Sequence, residues 1–256
     1  MLIHMLSQRL PPESVTGAPL QALQLADALR RGGDAVRLYT TSSPRPKATE
    51  APGSQDVLHL PYFNARGLRS ISRCISTVAV SRAISRAELV HGHALSPMVL
   101  GYALARSRAA PPLLVKPSLG GVHSEGELEK FRRCMPEALL GKALNRISAF
   151  AVLDETIRLE LLSLGVPESR IFDVDNGVDL SAYRSADPGE KARLRGAFGI
   201  DPRADVVLFA GQLAHRKGVR ELLEAWTSLA HEYPSAVLLF AGGGPLQAEV
   251  SACARR

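Results

Sequence analysis

Two glycines and a basic pair stand together in Gly211-Gln212-Leu213-Ala214-His215-Arg216-Lys217-Gly218, a combination suited to holding an anion. The loop follows the short apolar run Val206 to Ala210, which Asp205 and Gly211 bound and which predicts a buried parallel strand. After it, Val219, Leu222, Leu223, Trp226 and Leu229 recur at helical spacing and predict one buried helix face. A second apolar run, Ala236 to Ala241, leads into Gly242-Gly243-Gly244-Pro245, so the unit reads β-loop-α-β. Such a loop lies at the carboxyl edge of a sheet, where the next helix offers unpaired N–H groups to a phosphate. Gly211 and Gly218 permit close backbone approach, and Lys217, beside Arg216, supplies a point charge for a diphosphate. The spacing alone fits a turn with a solvated basic surface equally well.

A second group of residues lies earlier in the chain. The predicted strand Val90 to His93 ends in His91-Gly92-His93, and the next, Leu113 to Lys116, ends in Lys116 before Pro117-Ser118-Leu119-Gly120-Gly121. Both strand ends belong at the edge where an α/β sheet binds ligands. Strand alternation puts His91 and His93 on one face, so only one need be functional, and each also fits a buried structural histidine. The polar stretch Gly120 to Glu127 reads either as an acceptor contact or as a surface loop.

The run GQLAHRKG followed by ELLEAW and AGGGPL resembles the donor-domain signature of glycosyltransferase family 4. A second block, Ala149 to Asp179, is similar to the family's strand, helix, LGVP turn and NGVD crossover. The resemblance implies a retaining enzyme of GT-B architecture, with a cleft between two Rossmann-like domains. It implies transfer of a sugar from a nucleotide-sugar donor to a hydroxyl of a glycan, lipid or small-molecule acceptor, with no metal or other cofactor. On that basis His93 and Lys116 are the candidate catalytic residues. Gly17, Gly211, Arg216, Lys217, Gly218 and Gly244 are the candidate donor-binding residues, Gly17 matching the family's glycine-rich first turn.

Several positions depart from the family pattern. Lys116-Pro117-Ser118 stands where many members end the strand in histidine, and Gln212 replaces an arginine that contacts the diphosphate. Glutamine donates hydrogen bonds but brings no charge. Gly243 takes an acidic position, and Glu249 is the only acid after Pro245, so the acidic E-x7-E motif is absent. The chain is therefore expected to be truncated in its donor domain. Two other readings stay open: a non-catalytic relative with at most weak nucleotide affinity, and a sugar-nucleotide epimerase acting without acceptor.

These residues need a framework, and the rest of the chain predicts an α/β one. Leu2 to Leu6 reads as a strand and Thr16-Gly17-Ala18 as the end of a loop. The helix that follows has Pro19 in its first turn and a stripe of Ala22, Leu25, Ala26 and Leu29. Further strands are predicted at Ala35 to Thr40, Val57 to Leu60 and Ala149 to Leu153, with helices at Ile71 to Arg86, Met98 to Leu104 and, capped by Asp154, up to Gly165. The expected fold is a Rossmann-like, doubly wound parallel sheet domain over residues 1–180. An incomplete second Rossmann-like domain follows over 181–256.

Composition narrows the class further. The chain of 256 residues is 46% hydrophobic and 22% charged, values of an ordinary globular protein. No uninterrupted apolar stretch reaches membrane-spanning length and the start shows no leader pattern, which points to the cytoplasm. The three cysteines, Cys74, Cys134 and Cys253, form neither a disulfide framework nor a zinc motif. The net charge of +6 is dispersed and lacks an aromatic stacking motif. That argues against nucleic acid and leaves phosphorylated substrates or peripheral contact with an anionic membrane.

Overall fold

The computed structural model describes residues 1–10, 17–42, 56–63, 68–120 and 126–254. The chain forms two compact units, Met1–Gly177 and Val178–Arg256.

The first unit begins with β1 (Leu2–Ser7), α1 (Gly17–Arg31), β2 (Ala35–Ser42) and β3 (Val57–Pro61). It continues through α2 (Arg69–Ala79), α3 (Ser81–Ile84), β4 (Leu89–His93), α4 (Pro97–Ala105) and β5 (Leu113–Lys116). After α5 (Glu127–Cys134) and α6 (Glu137–Leu144), it closes with β6 (Ala149–Val152), α7 (Glu155–Ser163) and β7 (Ile171–Asp173). Among the described residues seven strands pair in the order β3-β2-β1-β4-β5-β6-β7, every pair parallel. The chain first steps outward from β1 to β3 and then returns to lay β4 on the other side of β1. That reversal creates a topological switch point between β1 and β4, and crevices for ligands open there at the carboxyl ends of the strands.

Apolar residues on both faces explain the burial of the sheet. Ile3 and Met5 pack with Ala22 and Ala26 of α1, whereas Leu6, Val90 and Val115 pack with Met98, Val99 and Tyr102 of α4. Local signals set several helix ends. The Ser96 hydroxyl accepts from the Val99 amide at 3.4 Å with Pro97 following, and the Asp154 carboxylate accepts from the Ile157 amide at 2.9 Å. Beyond α7, Gly165 has φ +77°, the left-handed conformation that stops a helix.

Two expectations change. The helix predicted over Ile71 to Arg86 breaks at Val80, whose φ of −104° and ψ of 9° are not helical, and the break redirects the chain so that Ile84 is buried. Gly17 is the first residue of α1 and not the end of a loop, while residues 11–16 before it lie outside the described residues.

The second unit holds α8 (Pro188–Ala197), β8 (Val206–Ala210), a short 3-10 turn (His215–Lys217), α9 (Val219–Glu232), β9 (Val237–Ala241) and α10 (Gln247–Cys253). Asp187 caps α8 by accepting from the Glu190 amide at 2.8 Å. β8 and β9 pair in parallel from Val206 with Val237 to Ala210 with Ala241. The small core consists of Leu213, Val219, Leu246 and Val250, with Phe209, Leu223 and Phe240 packed against it.

The predicted burial of β8 and of the α9 stripe does not hold here. Leu208 is 60% exposed, and of the stripe only Val219 is fully buried. A two-stranded sheet has too little surface to enclose its own apolar residues.

Candidate active site

In the first unit the sequence-predicted residues His91, His93 and Lys116 come together at the carboxyl edge. β4 and β5 pair with His93 opposite Lys116, and β1 and β4 pair with Met5 opposite His91 and Ser7 opposite His93. Residues in parallel register share a face, so both imidazoles lie on the α1 side of the sheet. Gly92 between them faces α4, where a Cβ would sit 2.7 Å from a Val99 methyl group, so a glycine is needed for α4 to pack this closely.

All three side chains are buried, and the two rings meet edge to face with centroids 5.5 Å apart. Burial, reinforced by the Lys116 charge, pushes His91 down to about 4. His93 falls to about 3 through burial, then through His91 and Lys116, while a hydrogen bond to the Ala18 backbone pulls the other way. Both rings are therefore neutral at physiological pH. His91 Nε2 and His93 Nδ1 are buried and find no hydrogen-bond partner among the described residues. Buried polar atoms of this kind are costly unless they serve a ligand or a water.

Lys116 is also held from within the unit. Its ammonium donates to Asn176 Oδ1, and burial lowers its pKa against the opposing pull of Asp175. Asn176 belongs to the Asn-Gly-Val-Asp segment that follows β7.

Sequence reasoning reached Glu127 only as the end of a polar stretch and missed that it fixes this edge. The Glu127 carboxylate accepts from the Leu95 amide at 2.6 Å, the Ser118 hydroxyl at 2.5 Å and the Ser118 amide at 3.3 Å. It thereby joins the segment after β4 to the segment after β5. Ala94, at φ +75°, adopts the left-handed conformation and donates its amide to the Lys116 carbonyl at 2.9 Å, which aims Leu95 at Glu127. Burial raises the Glu127 pKa, and the bonds from Ser118 and Leu95 oppose that rise. Its one signal in the sequence was an acid in the first turn of a helix behind a polar loop. Of the stretch Gly120 to Glu127 singled out for acceptor contact, residues 121–125 lie outside the described residues.

Gly17 starts α1 in open space, with nothing within 4 Å of where a Cβ would stand. The next residue, Ala18, is the one whose backbone meets His93. The start of α1 therefore lies beside the histidine pair.

In the second unit Gly211, Arg216, Lys217, Gly218 and Gly244 gather in two joined loops. The loops after β8 and β9 zip together: Gly211 N donates to Ala241 O at 2.9 Å, Leu213 N to Gly243 O at 3.0 Å and Leu246 N to Leu213 O at 3.0 Å. A Cβ at Gly244 would lie 2.5 Å from Leu213 O, and one at Gly242 would collide with Gly211 O. Loop packing thus accounts for both glycines. Gly218, at φ +70°, ends the 3-10 turn and begins α9 with no side-chain cap, which leaves that helix start free to meet an anion. Arg216 donates to Gln212 Oε1 at 3.3 Å, and the exposed Lys217 ammonium pairs with no carboxylate among the described residues.

Comparison with known proteins fits this geometry. Residues 15–182 match the profile of Glycosyltransferase Family 4, and residues 190–255 match that of Glycosyl transferases group 1. The D-inositol 3-phosphate glycosyltransferase of Mycobacterium sp. (strain KMS) is 30% identical, over 89% of this chain and 53% of its own length. The alpha-maltose-1-phosphate synthase of Mycobacterium tuberculosis is 26% identical, over 93% of this chain and 59% of its own. The chain thus spans between half and three-fifths of the length of these relatives.

Among solved structures, Anabaena Alr3699/HepE in complex with UDP superposes with a TM-score of 0.71 at 19% identity, covering all of this chain and 65% of that one. The same protein in complex with UDP-glucose gives a TM-score of 0.65 at 18% identity, with 100% and 65% coverage. At that identity the likeness is one of fold, and it agrees with the Rossmann-like α/β architecture of GT-B type. Since the first of the two profiles covers most of the chain, this protein belongs to glycosyltransferase family 4.

Proposed function

We propose that the chain carries the chemistry of a retaining glycosyltransferase that moves a sugar from a nucleotide-sugar donor to an acceptor hydroxyl. The observation that carries the reading is the loop Gly211 to Gly218, where two exposed cations flank an uncapped helix start. Departure of a nucleoside diphosphate needs positive charge placed beforehand at the leaving phosphate. Lys217 and the amides of α9 supply it. Arg216, tied to Gln212, brings a guanidinium where the family pattern has an arginine at 212. No bound metal is then required for this task, and activity in excess EDTA tests that point.

A uridine donor is favoured by the fold's likeness to a protein crystallised with UDP and with UDP-glucose. A phosphorylated sugar or polyol acceptor agrees with the names of the two curated relatives and with the net charge of +6.

The first unit would position the acceptor hydroxyl or the donor sugar. A conjugate acid near 3 makes His93 a poor base for an alcohol proton at neutral pH. Its neutral ring instead serves as a fixed hydrogen-bonding partner, and Lys116 contributes charge beside it. The test is turnover of labelled UDP-glucose across a panel of sugar and polyol phosphates. Release of UDP that depends on an acceptor supports the reading. Consumption of donor without any acceptor, or no turnover with any member of the panel, rejects it.

A further inference from the structure

A second concentration of positive charge in the first unit stands at the opposite end of the sheet from His93 and Lys116. β5 begins at Leu113 and β6 at Ala149, and at these amino ends the Leu113 amide donates to the Ser148 hydroxyl at 3.0 Å. Beside them opens a pocket of about 610 Å³, within the size range of small-molecule clefts. Four of its seven lining residues are cations, Arg106, Arg108, Lys142 and Arg146, and among the described residues none is acidic or apolar. The other three, Ser107, Asn145 and Ser148, are polar. A fifth cation reaches the rim, since Arg170 donates to the Asn145 carbonyl at 3.3 Å.

Backbone carbonyls hold two of the four cations in place. Arg106, just past α4, donates to Arg146 O at 2.6 Å, to Ala110 O at 3.1 Å and to Pro111 O. Arg146, just past α6, donates to Leu104 O at 3.2 Å and back to Arg106 O. This exchange staples the end of α4 to the approach to β6. Carbonyls satisfy donors without neutralising charge, and Arg106 is only 8% exposed, with its Nε buried and without a hydrogen-bond partner among the described residues. Burial lowers the Arg106 pKa; Tyr102 opposes that shift and the Arg146 charge adds to it. Stapling gives no account of Arg108 and Lys142. Both are exposed, and their side chains make no hydrogen bond or ion pair among the described residues.

We propose that this pocket binds a soluble anion carrying two or more phosphoryl groups. Two guanidiniums fixed in the wall and two mobile cations at the mouth match such a charge, whereas a single phosphate would leave most of theirs unmet. The lack of apolar lining removes the contact that a lipid tail would need. The inference stands apart from the glycosyl-transfer reading, since the four residues of β5 hold the pocket about 10 Å of strand away from Lys116.

The experiment is calorimetric titration of inorganic pyrophosphate into the chain carrying Lys217→Ala, which takes the loop before α9 out of competition. Binding should weaken as salt rises, and should fall about tenfold or more when Arg108→Ala and Lys142→Ala are added. Both of those sites are exposed, so circular dichroism should show the variant folded. Lys191→Ala with Arg193→Ala, which removes two exposed cations from α8, should leave the affinity unchanged. Pyrophosphate should also raise the unfolding temperature of the Lys217→Ala chain more than that of the pocket variant. No binding, equal binding by the pocket variant, or an equal loss in the α8 variant would overturn the proposal. So would binding to phosphatidylglycerol vesicles that Arg108→Ala, Lys142→Ala abolishes in a chain that ignores pyrophosphate, which would give the pocket to a lipid headgroup.

Discussion

The two units place their basic chemistry in opposite surroundings. In Met1–Gly177 the Lys116 ammonium and two imidazoles are buried at a sheet edge, held by Asn176, by the start of α1 and by the loops that Glu127 joins. In Val178–Arg256 Arg216 and Lys217 stand in solvent, beside a pair of loops locked to each other by backbone hydrogen bonds. Burial tunes the first group, lowering the proton affinity of His91, His93 and Lys116 alike. The second group is exposed and depends on the backbone for its shape. One site is therefore suited to fixed hydrogen bonding and the other to a highly charged leaving group.

The largest expected effect falls on the backbone-shaped site. Gly242→Ala drives a methyl group into the Gly211 carbonyl and should cost about 3 kcal/mol or more, read as an earlier unfolding transition in denaturant. An unchanged transition would mean that the two loops are not locked as described.

Acid should expose the buried site. The His91 pKa is about 4 in the folded chain against an ordinary 6.5, so the unfolded chain binds the proton more tightly. Stability is then full above about 6.5 and is lost as pH falls towards about 4, by about 3 kcal/mol for this ring. His93 adds a loss of the same sign. Denaturant unfolding across that range checks it. A slope that survives in a His91→Asn, His93→Asn double variant would assign the acid sensitivity elsewhere.

Glu127→Gln keeps the shape and, with its amide oxygen on the Leu95 and Ser118 amides and its NH2 on the Ser118 hydroxyl, removes only the charge from those bonds, which should cost about 1 kcal/mol. Because Glu127 joins both loops at the edge, turnover should fall further than stability alone explains, and nucleotide affinity should hold. Equal effects on turnover and nucleotide affinity would blur the proposed division of labour.

The smallest effect belongs to Gly17. Alanine there meets open space in a helix and should stabilise the chain by about 0.5 kcal/mol. If Gly17 lets a phosphate approach the start of α1, UDP binding weakens while thermal stability rises; parallel changes would leave Gly17 as a helix residue only.

Legibility followed the same division. Strands such as Leu113–Lys116 and Val206–Ala210 begin and end where the apolar runs do, because each run is short and bounded by loop residues. The loop Gly211 to Gly218 was readable because its chemistry is contiguous. Glu127 was not, since its meaning depends on partners 32 and 9 residues away. Gly244 stands among the donor-binding candidates, and its neighbour Leu213 adds a packing reason for glycine that spacing does not reveal. In α2 the exposed Ile71 and Ile75 run against simple periodicity, since a stripe of isoleucines ordinarily marks the inner face.

The central claim is that exposed charge on the loop before α9 grips a nucleoside diphosphate. Calorimetric titration of UDP into the chain and into Lys217→Ala tests it most directly. The exposed position predicts unchanged folding, and loss of a charged phosphate contact predicts weaker binding by about 2 kcal/mol, roughly thirtyfold. Equal affinity in the two proteins, or no binding of UDP by either, would contradict the account.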